Sequence, residues 1–254
     1  MTVSINLRGK VTLITGASRG IGKASALYFA QAGSDLLINY FRNKKEAQKV
    51  ASLAKASGVQ AEIFKADVSS NSQCQRIVDF AFKRFGKIDI LINNAGIWKY
   101  APIDKMSPAQ LKETLRVNLE SVFYLTTKVV PLMKKQGSGI IINISSTAGQ
   151  RGEAYHSPYA STKGAIISLT KSLSTELAPY KIRVNCVAPG WVDTDMSHRS
   201  LVGKDRKWIL DQIPLGRTAQ PEEIAGTILF LASDLSTFIT GEIINVNGGA
   251  VLCG

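Results

Sequence analysis

The fold is decided by the stretch Val11-Thr-Leu-Ile-Thr-Gly16-Ala-Ser-Arg-Gly20-Ile-Gly22. A short apolar run over residues 11–14 leads into a turn with three glycines, and residues 24–32 have helical composition. This order predicts a strand, a tight turn and a helix. The first N–H groups of such a helix are free to bind a pyrophosphate. A glycine triplet alone is weak evidence, but its place after a first strand predicts nucleotide binding.

Strands and helices alternate along the rest of the chain. Further strands are expected at 36–38, 61–65, 88–92, 139–144, 182–187 and 242–246, and helices at 44–57, 73–85, 108–135, 158–177 and 221–232. Apolar strands separated by crossover helices predict an α/β fold, a single doubly wound Rossmann-type domain over residues 1–254 with about seven parallel strands and helices on both faces. Ligands bind such a sheet at the carboxyl ends of its strands. Residues 190–217 are expected to form a partly helical substrate lid, or else a surface excursion without a role.

Composition excludes several classes of protein. The 254 residues are 45% hydrophobic with a mean hydropathy of +0.05, which is typical of a globular domain. Apolar runs such as 139–144 are far shorter than the ~20 residues of a membrane span. The first ten residues lack the apolar core of a secretory signal, so we expect a cytoplasmic protein without a membrane anchor.

Neither the cysteines nor the histidines suggest a metal site. Cys74, Cys186 and Cys253 are widely spaced and odd in number, which favours free, buried thiols. His156 and His198 lack the sequence neighbours of a metal site or a Ser-His-Asp triad, and we expect both at the surface or in the lid. No bound metal is predicted.

The positive charge raises the question of a polyanionic partner. The net charge is +12, and residues 1–60 carry nine basic side chains against two acidic ones. The second strand ends without the carboxylate that binds the adenosine ribose of NAD, and Arg42 stands there instead. Arg19 and Arg42 are able to pair with a 2′-phosphate, which favours NADP(H) over nucleic acid. The alternative is a solvated basic rim.

Three polar residues indicate proton-transfer chemistry. Tyr159 and Lys163 are four residues apart near the start of a predicted helix, so the phenol and the ammonium group share one face. A neighbouring positive charge is expected to lower the tyrosine pKa from about 10 toward the working pH. Ser146, at the end of the preceding strand, adds a hydroxyl at the same ligand-binding edge.

Together these residues resemble the short-chain dehydrogenase/reductase family over residues 10–249. The resemblance rests on motifs in the family order: Thr15-Gly16, Gly20, Gly22, Asp67-Val68, Asn93-Asn-Ala-Gly96, Asn118, Ser146, Tyr159, Lys163, Pro189-Gly190 and Asn247-Gly-Gly249. It implies an NADP(H)-dependent oxidoreductase that is a homotetramer, with interfaces built from the long helices over 108–135 and 158–177 and from the C-terminal strand region.

The resemblance also implies roles for single residues. Tyr159 would be the general acid/base, Lys163 would bind the nicotinamide ribose and tune Tyr159, Asn118 would support a water-linked proton path, and Ser146 would orient the carbonyl. Ser146 is preferred to Ser145 because its distance from Tyr159, 13 residues, matches the family spacing. The implied cofactor-binding residues are Gly16, Ser18, Arg19, Gly20, Ile21, Gly22, Tyr40, Arg42, Asp67, Val68, Asn94, Ala95, Gly96, Tyr159, Lys163, Pro189, Gly190, Val192 and Thr194.

Within the family, the glycine-rich turn and residues 239–249 are most similar to 3-oxoacyl-acyl-carrier-protein reductases of fatty acid biosynthesis. The implied reaction is NADPH-dependent reduction of a carrier-bound 3-oxoacyl thioester. A family member acting on a sugar, polyol or other small ketone is the close alternative, because Trp98, Trp191 and Trp208 match no acyl-chain site. A non-catalytic NADP-sensing or polyanion-binding module is a third hypothesis, and the complete set of catalytic residues argues against it.

Overall fold

The computed structural model describes residues 4–252. Its strands are β1 (Val11–Ile14), β2 (Asp35–Tyr40), β3 (Ala61–Lys65), β4 (Ile90–Asn93), β5 (Gly139–Ile144), β6 (Ile182–Pro189) and β7 (Ile243–Val246). Within the described residues these seven strands form one parallel sheet in the order β3-β2-β1-β4-β5-β6-β7. The direction of winding reverses between β1 and β4, and that reversal opens a crevice at the carboxyl ends of the strands. The predicted α/β fold is confirmed.

Helices follow most of the strands. They are α1 (Gly20–Gln31), α2 (Lys44–Ala56), α3 (Asn71–Phe85), α4 (Pro108–Leu115), α5 (Ser121–Gln136), α6 (Ala148–Arg151), α7 (Ser157–Leu177), α8 (His198–Val202), α9 (Arg206–Asp211) and α10 (Pro221–Ala232). The first helix begins at Gly20, four residues before the predicted start, so the last two glycines of the turn already belong to the helix. No helix of residues 4–252 is long and apolar enough to cross a membrane.

The sheet is covered on both faces because its strands are apolar on both sides. Leu13 and Ile14 are adjacent in β1 and point to opposite faces. Ile14 packs with Phe29 and the other buried residues of α1, α2 and α10, whereas Leu13 packs with Ile77 and the buried residues of α3 and α5. This two-sided burial holds the strand ends in fixed positions beneath the crevice.

The helix predicted over 108–135 is interrupted in the structure. The chain makes a π-helical turn at Arg116–Glu120 between α4 and α5. A π turn accommodates one extra residue and is frequently found at functional sites. Its central residue is Asn118, whose side chain is fully buried.

The segment predicted as a lid, residues 190–217, is partly helical, with α8 and α9 joined by irregular chain. Its inner side packs Leu201, Ile209 and Ile213 against Trp191. Cys74 and Cys186 are buried free thiols, as expected, and burial raises the pKa of each to about 12. Cys253 lies outside the described residues.

Candidate active site

A cavity of about 750 Å³ follows the carboxyl edge of the sheet. Gly16, Asn94, Ser146 and Gly190 all line it, and each lies one or two residues beyond the end of a strand. The cavity therefore lies where the topology predicts a ligand site.

Most of the residues singled out from the sequence line this cavity. They are Gly16, Ser18, Arg19, Gly20, Ile21, Arg42, Asp67, Val68, Asn94, Ala95, Gly96, Ser146, Tyr159, Lys163, Pro189, Gly190, Val192 and Thr194. Gly22, Tyr40 and Asn118 are not among the lining residues.

Tyr40, which the sequence predicts to be a cofactor-binding residue, does not line the cavity. Its side chain is buried with the core residues between the sheet and α1 and α2, and its carbonyl oxygen accepts a hydrogen bond from the N–H of Ala66 at 3.0 Å. An aromatic ring at this position in the strand packs into the core, so the side chain of Tyr40 is not available to a ligand in the cavity.

Gly22 acts through packing. A Cβ atom at this position would lie 2.6 Å from both the carbonyl oxygen of Gly16 and the Nδ2 atom of Asn94. The first turn of α1 therefore approaches the loop after β4 more closely than any side chain allows.

The glycine-rich turn is fixed by hydrogen bonds to that loop. The hydroxyl of Thr15 accepts hydrogen bonds from the N–H groups of Asn94 and Ala95, both at 2.9 Å, and the amide of Asn94 donates to the carbonyl of Thr15 at 2.8 Å. Gly16 has a φ of +62°, and a Cβ there would lie 3.1 Å from the Cα of Ala95. These contacts hold the turn open toward the cavity without a side chain filling it.

This turn fits the diphosphate of a dinucleotide. Within the described residues, no side chain caps the start of α1, which leaves its first N–H groups directed at the cavity. Arg19 precedes the helix and Arg42 follows β2, and both line the cavity. Arg19 forms an ion pair with Asp195 at 3.1 Å, with both side chains mostly exposed. The positive end of the helix and two arginines make this part of the cavity suitable for an anionic ligand.

Ser146, Tyr159 and Lys163 lie close together, where β5 ends and α7 begins. The ammonium group of Lys163 donates a hydrogen bond to the carbonyl of Ile144 at 2.7 Å and lies 5.7 Å from the centre of the Tyr159 ring. The neighbouring Ser145 hydroxyl donates to the carbonyl of Lys163 at 2.7 Å. Ser145 therefore joins β5 to α7, and it lines the cavity together with Ser146.

The pKa of Tyr159 differs from the expectation that Lys163 lowers it. Burial raises the pKa of Tyr159 to about 12, the hydroxyl of Ser146 acts in the opposite direction, and the charge of Glu153 raises it further. Burial lowers the pKa of Lys163 to about 8. The ammonium group is directed at the Ile144 carbonyl rather than at the phenol. The phenol is therefore protonated at neutral pH, and this protonation state suits a proton donor.

Asn118 lies behind the cavity and fixes the main chain of Ile97 in the cavity wall. Its side-chain oxygen accepts a hydrogen bond from the N–H of Ile97 at 2.8 Å, and its amide donates to the Ile97 carbonyl at 2.9 Å. A Cβ on Gly96 would lie 3.4 Å from this oxygen and 3.7 Å from the Lys163 nitrogen. Asn118 and Lys163 therefore approach each other across Gly96.

Sequence reasoning missed a cluster at the other end of the cavity. The sequence predicts His156 at the surface or in the lid, but its imidazole is mostly buried and stacks on Trp98 with ring centres 4.3 Å apart. Glu153, between Ser146 and Tyr159, accepts a hydrogen bond from the Trp98 indole at 3.2 Å. In the sequence, the only indication that Glu153 and His156 belong to the site is their position between Ser146 and Tyr159. His198 is exposed on α8, as expected.

Titratable side chains do not form a metal centre in the part of the chain that the structure describes. No group of three or more His, Cys, Asp or Glu side chains there is arranged to hold a metal ion.

Known proteins resemble this chain over nearly its whole length. Residues 16–251 match a family model described as enoyl-(acyl carrier protein) reductase. A 3-oxoacyl-[acyl-carrier-protein] reductase of Thermotoga maritima is 40% identical over 98% of this chain and 100% of its own length. A protein of the same description from Synechocystis is 40% identical over 97% of this chain and 98% of its own. The crystal structure of a short-chain dehydrogenase/reductase described as glucose/ribitol dehydrogenase, from Brucella melitensis, superposes with a TM-score of 0.91. It is 36% identical over 99% of this chain and 100% of the other.

The fold, the cavity and these matches define an oxidoreductase that uses a nicotinamide cofactor. The chain belongs to the short-chain dehydrogenase/reductase family.

Proposed function

We propose that this protein reduces a 3-oxoacyl thioester, carried on an acyl carrier protein, to the 3-hydroxyacyl thioester with NADPH. The observation that carries the proposal is the phenol of Tyr159, which lines the cavity together with Ser146 at the carboxyl edge of the sheet and whose pKa is raised above its ordinary value, so that it is protonated at neutral pH. The relatives at 40% identity, which are named for this reaction, support the choice of substrate.

The cofactor would lie along the carboxyl edge, with its diphosphate at the first turn of α1 and its nicotinamide near Tyr159 and Lys163. Gly16, Gly20 and Asn94 would shape the diphosphate site, and Asp67 and Val68 would border the adenine. When bound, NADPH supplies the hydride for the carbonyl carbon. Arg19 and Arg42 would select NADPH by pairing with its 2′-phosphate, since residues 41–45, directly after β2, contain no carboxylate to repel it.

The polar residues of the chain would then orient and protonate the substrate. The hydroxyls of Ser146 and Tyr159 would hold the carbonyl oxygen, and Tyr159 would donate its proton as the alkoxide forms. Lys163 would hold the nicotinamide ribose and supply a positive charge near the phenolate that remains. Asn118 would keep Gly96 and Ile97 in place and support the return of the proton through water.

The predicted homotetramer is part of the proposal. The ring of Phe123 on α5 is nearly half exposed, and that of Phe238, shortly before β7, is fully exposed. Exposed aromatic rings are typical of protein interfaces. Light scattering of the purified protein is expected to give about four times the chain mass of 27.5 kDa. A monomer would contradict this part of the proposal.

A second candidate is oxidation or reduction of a sugar, polyol or other small hydroxyketone. It is favoured by the polar and aromatic cluster of Trp98, Glu153 and His156 at the substrate end of the cavity. The relative from Brucella melitensis, described as glucose/ribitol dehydrogenase, is consistent with it.

The test is a substrate panel. Oxidation of NADPH, and separately of NADH, is measured with acetoacetyl and crotonyl thioesters, with aldoses and with small ketones. A decanoyl thioester, which has neither a 3-oxo group nor a double bond, is the blank. The proposal predicts the highest kcat/KM with the acetoacetyl thioester and NADPH. Preference for the crotonyl thioester would indicate enoyl reduction instead, preference for sugars would favour the second candidate, and preference for NADH would contradict the roles of the two arginines.

A further inference from the structure

Two indole rings meet across the end of β5, at the substrate end of the cavity. In the sheet, β5 lies between β4 and β6. Trp98 follows β4 and Trp191 follows β6, and both line the cavity together with Ser146, which follows β5. The two indoles are in edge-to-face contact, with ring centres 5.8 Å apart and planes at 89°. Their contact therefore spans the strand end that carries Ser146.

The loop after β5 holds the first of these indoles in one orientation. The indole N–H of Trp98 donates a hydrogen bond to the carboxylate of Glu153 at 3.2 Å, and its face stacks on His156 with ring centres 4.3 Å apart. The main chains of the two loops are joined as well, because the N–H of Ala101 donates to the carbonyl of Tyr155 at 2.6 Å. A ring held by a hydrogen bond, a stacked face and a fixed loop forms a rigid wall of the cavity.

The second indole is held by the segment after β6. The half-buried ring of Trp191 packs against the buried side chains of Leu201, Ile209 and Ile213. Its main-chain carbonyl accepts a hydrogen bond from the N–H of Ala219 at 2.9 Å. Moving this ring away from Trp98 would lose packing contacts on both of its sides. Both indoles therefore resist displacement.

This pair of indoles lies close to the proton donor. Glu153, which accepts the hydrogen bond from Trp98, is near enough to Tyr159 for its charge to raise the pKa of the phenol. Tyr159 and Ser146 line the same cavity as the two indoles. A substrate carbonyl held by Tyr159 and Ser146 would therefore have the indole wall beside it.

The neighbouring part of the cavity wall is charged. Lys99, which pairs with Glu113, lines the cavity together with Arg116 and Arg151. An alkyl chain laid over these groups would remove charges from water without giving them new partners, which is unfavourable. The polar arm of a thioester is able to form hydrogen bonds there. This part of the wall therefore suits the arm and disfavours an acyl chain.

We propose that Trp98 and Trp191 select short 3-oxoacyl groups, because the two indoles form a wall beside the carbonyl that a longer acyl chain has to displace. The inference rests on the proposed function and adds the chain length that the site accepts. An acetoacetyl group carries only a methyl group beyond its 3-oxo carbon, and this group fits against an indole edge. A 3-oxooctanoyl group extends four carbon atoms further, into the space that the rings occupy.

The test compares thioesters that differ only in chain length. With NADPH, kcat/KM is measured for the N-acetylcysteamine thioesters of 3-oxobutanoic, 3-oxohexanoic and 3-oxooctanoic acids. We expect the wild type to prefer the four-carbon to the eight-carbon substrate roughly 10- to 100-fold, since forcing extra methylene groups into a packed site is costly. In Trp98→Ala and Trp191→Ala the preference should fall roughly tenfold or more, through a higher kcat/KM for the longer chain. Trp98→Phe keeps a ring in the wall and should keep most of the preference.

Trp208→Ala is the matched control. Trp208 is exposed and is not among the residues that line the cavity, so its replacement is expected to leave the chain-length preference unchanged. Equal kcat/KM for the four-carbon and eight-carbon substrates in the wild type would overturn the inference. So would a preference that survives in both Trp98→Ala and Trp191→Ala, or one that falls equally in Trp208→Ala.

Binding separates failure of the inference from failure of the proposed function. The 3-hydroxybutanoyl and 3-hydroxyoctanoyl thioesters are titrated into Trp208→Phe protein saturated with NADP⁺ while tryptophan fluorescence is followed. The chain has three tryptophans, so only Trp98 and Trp191 report in this background. The four-carbon product is expected to bind more tightly, and adding Trp98→Ala is expected to remove the difference.

The outcomes of the two experiments differ for the two claims. Tighter binding of the four-carbon product without reduction of any 3-oxoacyl thioester would contradict the proposed function and support selection by the indole wall. Reduction of the thioesters with equal binding of the two products would overturn the inference and leave the proposed function standing. Absence of both binding and reduction would contradict both.

Discussion

The two ends of the cavity are built from different materials. The end near α1 is made of backbone and small residues: Gly22 leaves no space for a Cβ, Gly16 leaves little, and Thr15 and Asn94 bind main-chain groups. The other end is made of large side chains from separate loops, among them Trp98 and Glu153. A backbone site constrains the residue type at every position, whereas a side-chain site is free to change with its loops. The first is suited to a ligand common to a family and the second to a particular substrate.

Tyr159 stands where the two ends meet, and its replacement is expected to have the largest effect. Tyr159→Phe removes the proton donor and keeps the ring, so turnover should fall by roughly 10²- to 10⁴-fold. NADPH affinity, measured by fluorescence titration, should be unchanged. Tyr155→Phe is the control, because Tyr155 is exposed four residues away. Retained turnover in Tyr159→Phe would remove the phenol from the mechanism.

The pH dependence of the unfolding free energy measures what it costs to bury the ammonium group of Lys163, next to Tyr159. Burial places its pKa near 8 in the folded protein, below the ordinary value of 10.5, so the unfolded chain binds the extra proton between these pH values. The free energy of unfolding contributed by this group therefore rises with pH through that window, by about 3 kcal/mol in full. Tyr159 acts in the opposite sense only above its ordinary pKa of 10.

Urea unfolding of Lys163→Met at pH 7 and pH 9.5 measures this contribution. The difference in unfolding free energy between the variant and the wild type should shift in favour of the wild type as the pH rises, because Lys163 alone is missing from the variant. The buried thiols of Cys74 and Cys186, whose raised pKa values lower stability above about pH 9, are present in both proteins and cancel in this difference. Lys171→Met is the control, since Lys171 is exposed on the same helix. Parallel pH dependence in the wild type and Lys163→Met would mean that the ammonium group is not desolvated.

Gly22→Ala should damage the backbone end alone. The added Cβ would lie 2.6 Å from the Gly16 carbonyl, and relief requires a main-chain shift, which we expect to cost about 1–3 kcal/mol of folding free energy and to weaken NADPH binding. Gly226→Ala in α10 is the control, because a Cβ there meets nothing within 4 Å. Thermal unfolding and NADPH titration check both variants. Equal behaviour of the two would show that the turn tolerates side chains.

The smallest expected effect is at the exposed rim of the same end. Arg42→Ala should weaken NADPH binding roughly tenfold and leave NADH binding unchanged, because a solvent-exposed ion pair with the 2′-phosphate is partly screened. Lys44→Ala, in the same basic stretch but outside the cavity lining, is the control. Equal losses for NADPH and NADH would exclude recognition of the 2′-phosphate by Arg42.

The contrast between the two ends also explains what the sequence predicts. The strand ends and the glycine-rich turn follow from local periodicity and backbone constraints. The sequence therefore predicts the fold and the position of Gly16 and Asn94 in the wall of the cavity. The π turn at Arg116–Glu120 and the buried ring of Tyr40 depend on packing between distant segments. The hydrogen bond between Trp98 and Glu153 joins two loops that are 55 residues apart in the sequence, and no sequence pattern predicts such a contact.

The pKa of Tyr159 shows the same limit. Spacing places Lys163 on the correct helix face, but it does not reveal that its ammonium group binds the Ile144 carbonyl or that burial raises the pKa of the phenol. The roles assigned to individual site residues remain predictions that the variants above test.

The most direct test of the central claim is to follow the hydride. The protein is incubated with the acetoacetyl thioester and NADPH deuterated at both C4 positions, and the product is analysed by mass spectrometry and NMR. Carbonyl reduction predicts one deuterium at C3 of the 3-hydroxybutyryl thioester, with Tyr159→Phe strongly reducing its formation. Absence of product, or a hydroxyl product without deuterium at C3, would contradict the account.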